Sequence, residues 1–271
     1  MTFRPRTEWP GGRPQGDNPA VTDTADTARR WRALDAEPGT VLLDGLHALK
    51  HALRFGAEVP LAVAEDREAA LALARDLAPD LVPALRGCLE PVTPDVLRAL
   101  VPRPHPTGVA ALALRTRAAS PAEAAPAVVL DDPRHLGNVG AVVRLAAGCG
   151  ASAVYTTGTV DPWHPTVVRA AAGLHFATRV EHRDAAQLPP GPLYALDPEG
   201  EDLRGLTLPD DALLAFGSER HGLSHALRAH ADHLVALPMR PQVSSYNLAT
   251  SVAMTLYHWM AQRPGRRAAA G

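Results

Sequence analysis

The chain has 271 residues, of which 46% are hydrophobic and 21% charged, and its formal net charge is -2 at pH 7. This composition is typical of a soluble globular protein of one large or two modest domains, and it excludes attachment to nucleic acid through bulk positive charge. With two cysteines that form no CxxC pair and no run of eighteen apolar residues, the sequence predicts no disulfide framework, no cysteine zinc site, no signal peptide and no membrane span, and we expect a cytoplasmic location.

The first third of the sequence predicts a tail followed by a small α/β unit. Residues 1–30 are rich in Pro, Gly, Asp and Thr without periodicity, which indicates a disordered tail. Within residues 31–115, "TVLLDGLHALKHALRFGAE" predicts a strand and an amphipathic helix, and "PLAVAED" with "REAALALARDLA" predicts a second pair. "TPDVLRALVPRPHPTGVAALALR" then predicts a helix with Thr93 as its N-cap, a proline-rich turn and a closing strand.

The remainder of the sequence predicts a larger parallel sheet. Residues 116–126 form a Pro/Ala/Ser linker, and residues 264–271 are expected to be a second disordered tail. Between them, over residues 127–263, strand-like runs such as "AVVLD", "PLYALD" and "ALLAFGS" alternate with helical stretches. Because such alternation is typical of βαβ connections, we expect a parallel sheet with helices on both faces.

The segment "AVVLDDPRHLGNVGAVVRLAAGCGA", residues 127–151, couples a strand to a glycine-bearing turn and a helix. Its glycine spacing differs from the dinucleotide-binding fingerprint, and no Gly-Lys-Ser/Thr follows, so neither a Rossmann site nor a P-loop is predicted. Helical spacing puts four apolar residues on the buried side: Val139, Val142, Val143 and Ala146. Arg144 falls on a face of small residues: Gly137, Gly140, Ala141, Ala147 and Gly148. Spacing alone fits two roles for Arg144 equally well. It could bind a phosphate or a ribose, or it could be a surface arginine on a helix that packs closely against a partner.

Two later segments, "LLAFGSERHGLS" and "LVALPMRPQVSSYNLATSVAMTLYH", follow "LGNVGAVVRLAAGCGA" in the chain. Together the three resemble the signature motifs of the SpoU/TrmH family of RNA ribose 2′-O-methyltransferases, within the SPOUT superfamily. The resemblance covers Ala127 to about Gln262. "LLDGLHALKHAL" and "PTGVAAL" also resemble the start and end of the small ribosomal-protein-like RNA-binding domain that many members carry, with Asp44 in place of the usual glutamate.

The resemblance implies a deep trefoil knot at the carboxyl end of the sheet, which is an exception to the rule that chains avoid threading. It implies a homodimer, and a bound S-adenosylmethionine whose adenine approaches the backbone closely at Gly217. Carried over by position, the cofactor-binding residues are Phe216, Gly217, Ser218, Leu237, Met239, Ser245, Tyr246, Asn247 and Leu248. Tyr246 stands where family members usually have leucine.

The resemblance also assigns catalytic roles, with Arg144 acting on the ribose 2′-hydroxyl either as a base or as an electrostatic stabiliser. The remaining catalytic residues would be Asn138, Glu219, Ser245 and Asn247. Arg144 and Arg169 would contact RNA. Helical spacing further predicts that Ser244 or Ser245 caps the last helix, and that this helix buries Leu248, Val252, Leu256 and Trp259.

The predicted activity is therefore ribose 2′-O-methylation of RNA, with 23S ribosomal RNA favoured over tRNA. A catalytically inactive RNA- or ribosome-binding protein is the alternative outside enzymes. A zinc site is a further alternative, because His221 and His225 are four residues apart and His230 and His233 follow, but the pattern holds no carboxylate and we expect no metal.

Overall fold

Two β-sheets organise the chain in a computed structural model that describes residues 24–115 and 124–262. The first sheet is mixed, with the order β1-β4-β2-β3, and comprises β1 Thr40–Asp44, β2 Leu61–Ala64, β3 Leu89–Pro91 and β4 Val109–Leu114. Its helices are α1 Thr24–Asp35, α2 Leu46–Arg54, α3 Arg67–Leu77, α4 Val82–Cys88 and α5 Pro94–Leu100. The predicted small α/β unit is confirmed, including Thr93 as the N-cap of α5, where its side chain accepts a hydrogen bond from the Val96 amide.

Helix α1 contradicts part of the predicted N-terminal tail, because residues 24–30 are helical. Trp31 is only 1% exposed and packs among residues of the first sheet. The Thr27 hydroxyl donates a hydrogen bond to the Glu90 carboxylate, and Arg30 pairs with the same carboxylate at 3.0 Å. These partners lie about sixty residues away in sequence, so local composition gave no sign of them. The rest of the predicted tail, residues 1–23, lies outside the described residues, as do residues 116–123 of the linker and 263–271.

Six parallel strands form the second sheet, in the order β10-β8-β9-β5-β6-β7. They are β5 Ala127–Leu130, β6 Ala153–Thr156, β7 Arg179–His182, β8 Leu193–Asp202, β9 Leu213–Phe216 and β10 His233–Ala236. The helices that follow are α6 Leu136–Cys149, α7 Pro165–Ala170, α8 His225–His230 and α9 Leu248–Ala261. Helices α6, α7 and α9 pack on one face and α8 on the other, which confirms the predicted parallel sheet with helices on both faces. The trefoil knot and the domain boundaries stay predictions.

Besides α1, three further elements were not predicted: α4, β3 and β7. Pro83 and Gly87 make the α4 segment look like a loop, yet a proline in the first turn is compatible with a helix. The strands β3 and β7 are short edge strands, in each of which one residue is buried. Edge strands of this kind lack the apolar run or strict alternation that identifies a strand in sequence. Within residues 24–115 and 124–262, no helix has the length and apolar character needed to cross a membrane.

The predicted packing of α6 is confirmed on its buried side, since Val139, Val142, Val143 and Ala146 are fully buried. The opposite face is less open than expected. A Cβ added at Gly140 would lie 2.5 Å from Ala170 Cβ and 2.6 Å from the Val167 oxygen, so α7 packs closely there. Arg144, one turn further along, is exposed.

The two sheets meet through the loop that follows α7. Val168 and Phe176 belong to the same apolar cluster as α2 and the first sheet. Gly173 has a φ of +72°, and an added Cβ would lie 2.5 Å from the Ala48 oxygen in α2. His51 Nδ1 lies 2.8 Å from the Ala172 oxygen. This close backbone approach fixes α2 beside the second sheet.

Candidate functional site

A cavity of about 460 Å³ opens at the carboxyl ends of β8, β9 and β10. This volume is within the range of small-molecule sites, which is about 300–1,000 Å³. All nine predicted cofactor-binding residues line the cavity: Phe216, Gly217, Ser218, Leu237, Met239, Ser245, Tyr246, Asn247 and Leu248. Asn138 and Glu219 line it as well, so the three motif segments converge on one site.

One part of the cavity wall was missed by the sequence analysis. Strand β10 pairs with Tyr194 and Ala195 of β8, and after a register shift it pairs with Glu201 and Asp202. The residues between, 196–200, are not paired with β10, and three of them line the cavity: Leu196, Asp197 and Pro198. The turn-forming sequence "DPEG" inside a strand-like run was the available signal for this bulge.

A chain of hydrogen bonds joins the three motif segments. Asn247 Nδ2 donates to Asn138 Oδ1 at 3.2 Å, and Asn138 Nδ2 donates to Glu219 Oε1 at 2.8 Å. Glu219 Oε2 accepts from the Arg134 amide at 3.2 Å. The amide of Asn138 is thereby held by the segments before α9 and after β9.

The Glu219 carboxyl is tuned by the same contacts. Its partial burial acts to raise the pKa, but hydrogen bonds from Asn138 and from the backbone amides of Glu219 and Arg134 outweigh burial, and the pKa lies below its usual value. A carboxylate that accepts several hydrogen bonds is stabilised in its charged form. Glu219 is therefore an acceptor that organises its neighbours and is poorly suited to act as an acid.

Asn247 is the N-cap of α9, in contrast to the predicted Ser244 or Ser245. Its side-chain oxygen accepts hydrogen bonds from the Ala249 amide at 2.9 Å and from the Thr250 amide at 3.4 Å. The helix begins one residue later, at Leu248, so both serines belong to the loop before it and line the cavity. The predicted buried stripe of this helix is confirmed: Leu248, Val252, Leu256 and Trp259.

Gly217 lies where two backbone segments cross. Ser218 and Gly222 pair as a short antiparallel bridge, which folds the loop after β9 back on itself. A Cβ added at Gly217 would lie 2.0 Å from the Gly222 carbonyl carbon and 2.2 Å from the Leu223 nitrogen. The need for glycine therefore comes from the protein's own backbone, and not, as expected from the sequence, from a bound adenine alone.

The two predicted arginines do not line this cavity in the described part of the chain. Arg144 is exposed on α6, beyond Asn138. Arg169, in α7, lies beside the end of β1. Its Nη1 is 2.9 Å from Asp44 Oδ2 and donates to the Arg103 oxygen at 3.1 Å. The structure thus brings Asn138, Glu219 and the loop residues together and leaves the guanidinium groups outside.

Within residues 24–115 and 124–262, no three His, Cys, Asp or Glu side chains are grouped so as to hold a metal ion. The four histidines of the alternative zinc site form no such group.

Comparison with known proteins identifies the relatives of this chain. Residues 125–257 match the family model described as the SpoU rRNA Methylase family. An uncharacterized tRNA/rRNA methyltransferase of Synechocystis is 30% identical over 192 residues, which cover 64% of this chain and 69% of that protein. The 23S rRNA (uridine(2479)-2'-O)-methyltransferase of Streptomyces viridochromogenes is 33% identical over 157 residues, which cover 52% of this chain and 54% of that protein.

The fold is similar to that of a solved member of the family. The SpoU methyltransferase AviRb from Streptomyces viridochromogenes, in complex with the cofactor AdoMet, superposes with a TM-score of 0.70 at 24% sequence identity. The superposition covers 89% of this chain and 98% of that chain, so it includes both sheets.

Proposed function

Because the chain belongs to the SpoU rRNA methylase family, we propose that it is a methyltransferase that transfers a methyl group from S-adenosylmethionine to a ribose 2′-hydroxyl of RNA, in 23S ribosomal RNA. The observation that carries the proposal is the single cavity at which all three motif segments meet, linked by the hydrogen bonds from Asn247 through Asn138 to Glu219.

The cavity suits S-adenosylmethionine in both size and chemistry. Phe216, Leu237 and Leu248 offer apolar surface for an adenine ring, while Ser218 and the loop before α9 offer polar groups. The Tyr246 hydroxyl donates to the Pro238 oxygen at 3.0 Å and so ties the ends of the loop between β10 and α9 together. We propose that Tyr246 closes the pocket wall at the position where family members usually have leucine.

When bound, S-adenosylmethionine supplies an electrophilic methyl group. The protein must then place the ribose hydroxyl in line with that group, leave a path for the hydroxyl proton to pass to solvent water, and stabilise the charge that develops on the oxygen. We assign this stabilising role to Arg144, because a guanidinium has five hydrogen-bond donors and no acceptor and so is suited to stabilise an oxyanion. Asn138 and Glu219, with Ser245 and Asn247, would hold the loops around the reacting nucleotide.

A homodimer accounts for the distance between Arg144 and the cavity of its own chain. A Cβ added at Gly137 or Gly148, on the same helix, would meet none of the described atoms within 4 Å. The neighbouring α9 exposes Met254 and Tyr257, the latter 70% exposed. A second copy that covers these helices would bury this apolar surface and bring Arg144 to the partner's cavity.

The proposal also specifies which class of RNA is methylated. The Streptomyces relative is named for 23S rRNA, whereas the name of the Synechocystis relative includes tRNA, which is the second candidate substrate. We assign RNA binding to the unit around the first sheet and to Arg169. An inactive RNA-binding protein is the alternative that the intact cavity disfavours.

Two measurements test the proposed function. Calorimetric titration with S-adenosylmethionine should show binding that is lost in Leu237→Trp, because the indole fills the cavity. The protein should transfer labelled methyl groups to deproteinised ribosomal RNA from cells that lack the gene, and ribose methylation mapping should locate the nucleotide. Absence of S-adenosylmethionine binding would contradict the proposal and favour the inactive RNA-binding protein, and binding without transfer to ribosomal RNA or tRNA would contradict the proposed substrate.

A further inference from the structure

Helix α2 carries one histidine and two cations on its outer face. His47, Lys50 and Arg54 are three and four residues apart and therefore neighbour one another along one side of the helix. His47 and Arg54 are exposed and Lys50 is partly exposed, whereas Leu46, Leu49 and their neighbours pack inward. Lys50 is the only lysine in a chain whose net charge is -2, so this positive face is local.

The packing of the two sheets brings this face of α2 towards Arg144. Helix α6 packs on α7 at Gly140, and Arg144 follows Gly140 by one helical turn on the same side. The loop after α7 packs on α2 at Ala48, through the close approach of Gly173. The short helical turn Leu174–Phe176 contacts both α2 and α6.

The charges on α2 and α6 are close enough to influence one another. Burial lowers the pKa of His47, and the positive charges of Lys50, His105 and Arg144 lower it further. Burial likewise lowers the pKa of Lys50, with Arg54 and Arg144 adding to the effect and Asp80 opposing it. His47 thus lies near the positive charges of Lys50 on α2 and Arg144 on α6.

Two of these cations are not neutralised. Arg54 pairs with Asp80 at 2.6 Å, and Arg169 pairs with Asp44 at 2.9 Å. Neither Lys50 nor Arg144 forms a salt bridge with any residue of the described ranges. Like charges held together without a counterion repel one another, and a bound anion would relieve that repulsion.

We propose that His47, Lys50 and Arg144 form a binding site for one phosphate group of the RNA backbone, beside the ribose that is methylated. This inference rests on the proposed function, because that function supplies the polyanion. The ammonium of Lys50 gives a compact positive charge, and the guanidinium of Arg144 has enough donors to reach both the phosphate and the adjacent sugar. The site would connect the unit around the first sheet to the catalytic helix, so that one phosphate sets the position of the reacting nucleotide.

The test compares Lys50→Gln with Arg75→Gln, which removes one exposed cation from α3 and serves as the matched control. The probe is deproteinised ribosomal RNA from cells that lack the gene, and binding is measured over a series of KCl concentrations. For Lys50→Gln we expect the slope of log affinity against log salt to fall by about 0.7 to 0.9, as for the loss of one phosphate contact. The KM for RNA should rise about fivefold with kcat nearly unchanged, because the contact binds a phosphate that does not react.

Further variants distinguish the loss of an RNA contact from misfolding. Lys50→Arg retains the charge and should retain the wild-type salt slope, and His47→Gln should weaken RNA binding in the same direction. S-adenosylmethionine affinity and thermal unfolding should be those of the wild type, which separates an RNA contact from misfolding.

Three outcomes would overturn the inference or its premise. If the wild-type protein methylates RNA and Lys50→Gln behaves like Arg75→Gln, the phosphate site is wrong and the proposed function stands. If Lys50→Gln converts a dimer into a monomer in sedimentation, the cations face a second copy and not RNA. If the wild-type protein binds no S-adenosylmethionine and transfers no methyl group, the proposed function itself fails.

Discussion

Individual residues at the cavity are fixed by contacts that are distant in sequence. Glu219 holds the Arg134 amide and the Asn138 side chain, which are more than eighty residues earlier in the chain. Gly217 is fixed by the backbone of Gly222 and Leu223, across a loop that turns back on itself. The same small set of contacts therefore determines both the local backbone and the shape of the cavity.

Replacing Gly217 by alanine should damage the loop and the cavity together. The added Cβ meets backbone atoms at 2.0 and 2.2 Å, and backbone cannot rotate away as a side chain can. We expect Gly217→Ala to lower the free energy of unfolding by about 1–3 kcal/mol, as overpacking does, and to weaken S-adenosylmethionine binding, measured by urea unfolding and calorimetry. Gly87→Ala is the control, because a Cβ there meets no described atom within 4 Å and alanine favours the helix. Equal behaviour of the two variants would contradict the loop geometry.

Replacing Glu219 by glutamine should have an effect on stability that depends on pH. The carboxyl has a pKa below the usual 4.5 in the folded protein, so its contribution to stability is complete above about pH 4.5. That contribution is lost as the pH falls through the lower, folded-state pKa. We expect the difference in unfolding free energy between the wild type and Glu219→Gln to be constant from pH 7 to pH 5 and to shrink below that. A difference that grows on acidification would mean that the carboxyl is protonated in the fold.

Nine residues that line the cavity were predicted because three local motifs resemble those of the SpoU/TrmH family. Glycines, serines and asparagine at fixed spacing after a strand indicate a loop that must bend, and these loops meet wherever parallel strands end at one edge. Asn247 was identified as a site residue, yet its role as N-cap was given to a serine, since serine and asparagine cap equally well. Only the side-chain geometry, with Asn247 bonded to two amides and to Asn138, separates these possibilities.

At the scale of elements, helix α9 depends on a residue that also belongs to the site. The side-chain oxygen of Asn247 caps the helix, and its nitrogen donates to Asn138. The two functions use different atoms of one amide. They can therefore be separated by substitution.

Asn247→Ala should lose both functions, and Asn247→Asp should lose only one. For the alanine variant we expect the free energy of unfolding to fall by about 1 kcal/mol, the usual contribution of an N-cap. The aspartate variant keeps an oxygen acceptor at the helix N-terminus, so its stability should be near that of the wild type, but it cannot donate to Asn138. Both variants should have weakened S-adenosylmethionine binding in calorimetry. An aspartate variant that binds the cofactor normally would show that the contact with Asn138 is dispensable.

Helix α1 and the bulge in β8 were not predicted because both depend on contacts between distant parts of the chain. Helix α1 is held by Trp31 and by Glu90 of the first sheet, and the bulge in β8 arises from its pairing with β10. Local propensity and periodicity carry no information about partners so far along the chain. By contrast, the apolar runs of β5 and β9 and the stripe of α6 are properties of the segments themselves, and these were predicted.

At the scale of the whole molecule, the cavity and Arg144 lie on different surfaces of the unit around the second sheet. The cavity lies at the carboxyl ends of β8 to β10, whereas Arg144 is exposed on α6, where its charge lowers the pKa of His47 on α2. One chain therefore contains the proposed cofactor cavity and the proposed catalytic arginine without joining them. A homodimer resolves this separation if each arginine serves the partner's cavity.

Mixing two inactive variants tests that arrangement. Arg144→Ala keeps its cavity, and Leu237→Trp keeps its arginine, so a mixed dimer contains one site that has both an intact cavity and an intact arginine from the partner. After random exchange of subunits, half of the dimers are mixed and each has one working site in two, so methyl transfer to ribosomal RNA should recover to about a quarter of the wild-type rate. Each variant alone, taken through the same exchange, is the control and should stay inactive. If the mixture also stays inactive although native mass spectrometry detects mixed dimers, Arg144 acts within its own chain, and the proposed exchange of catalytic groups between copies is wrong.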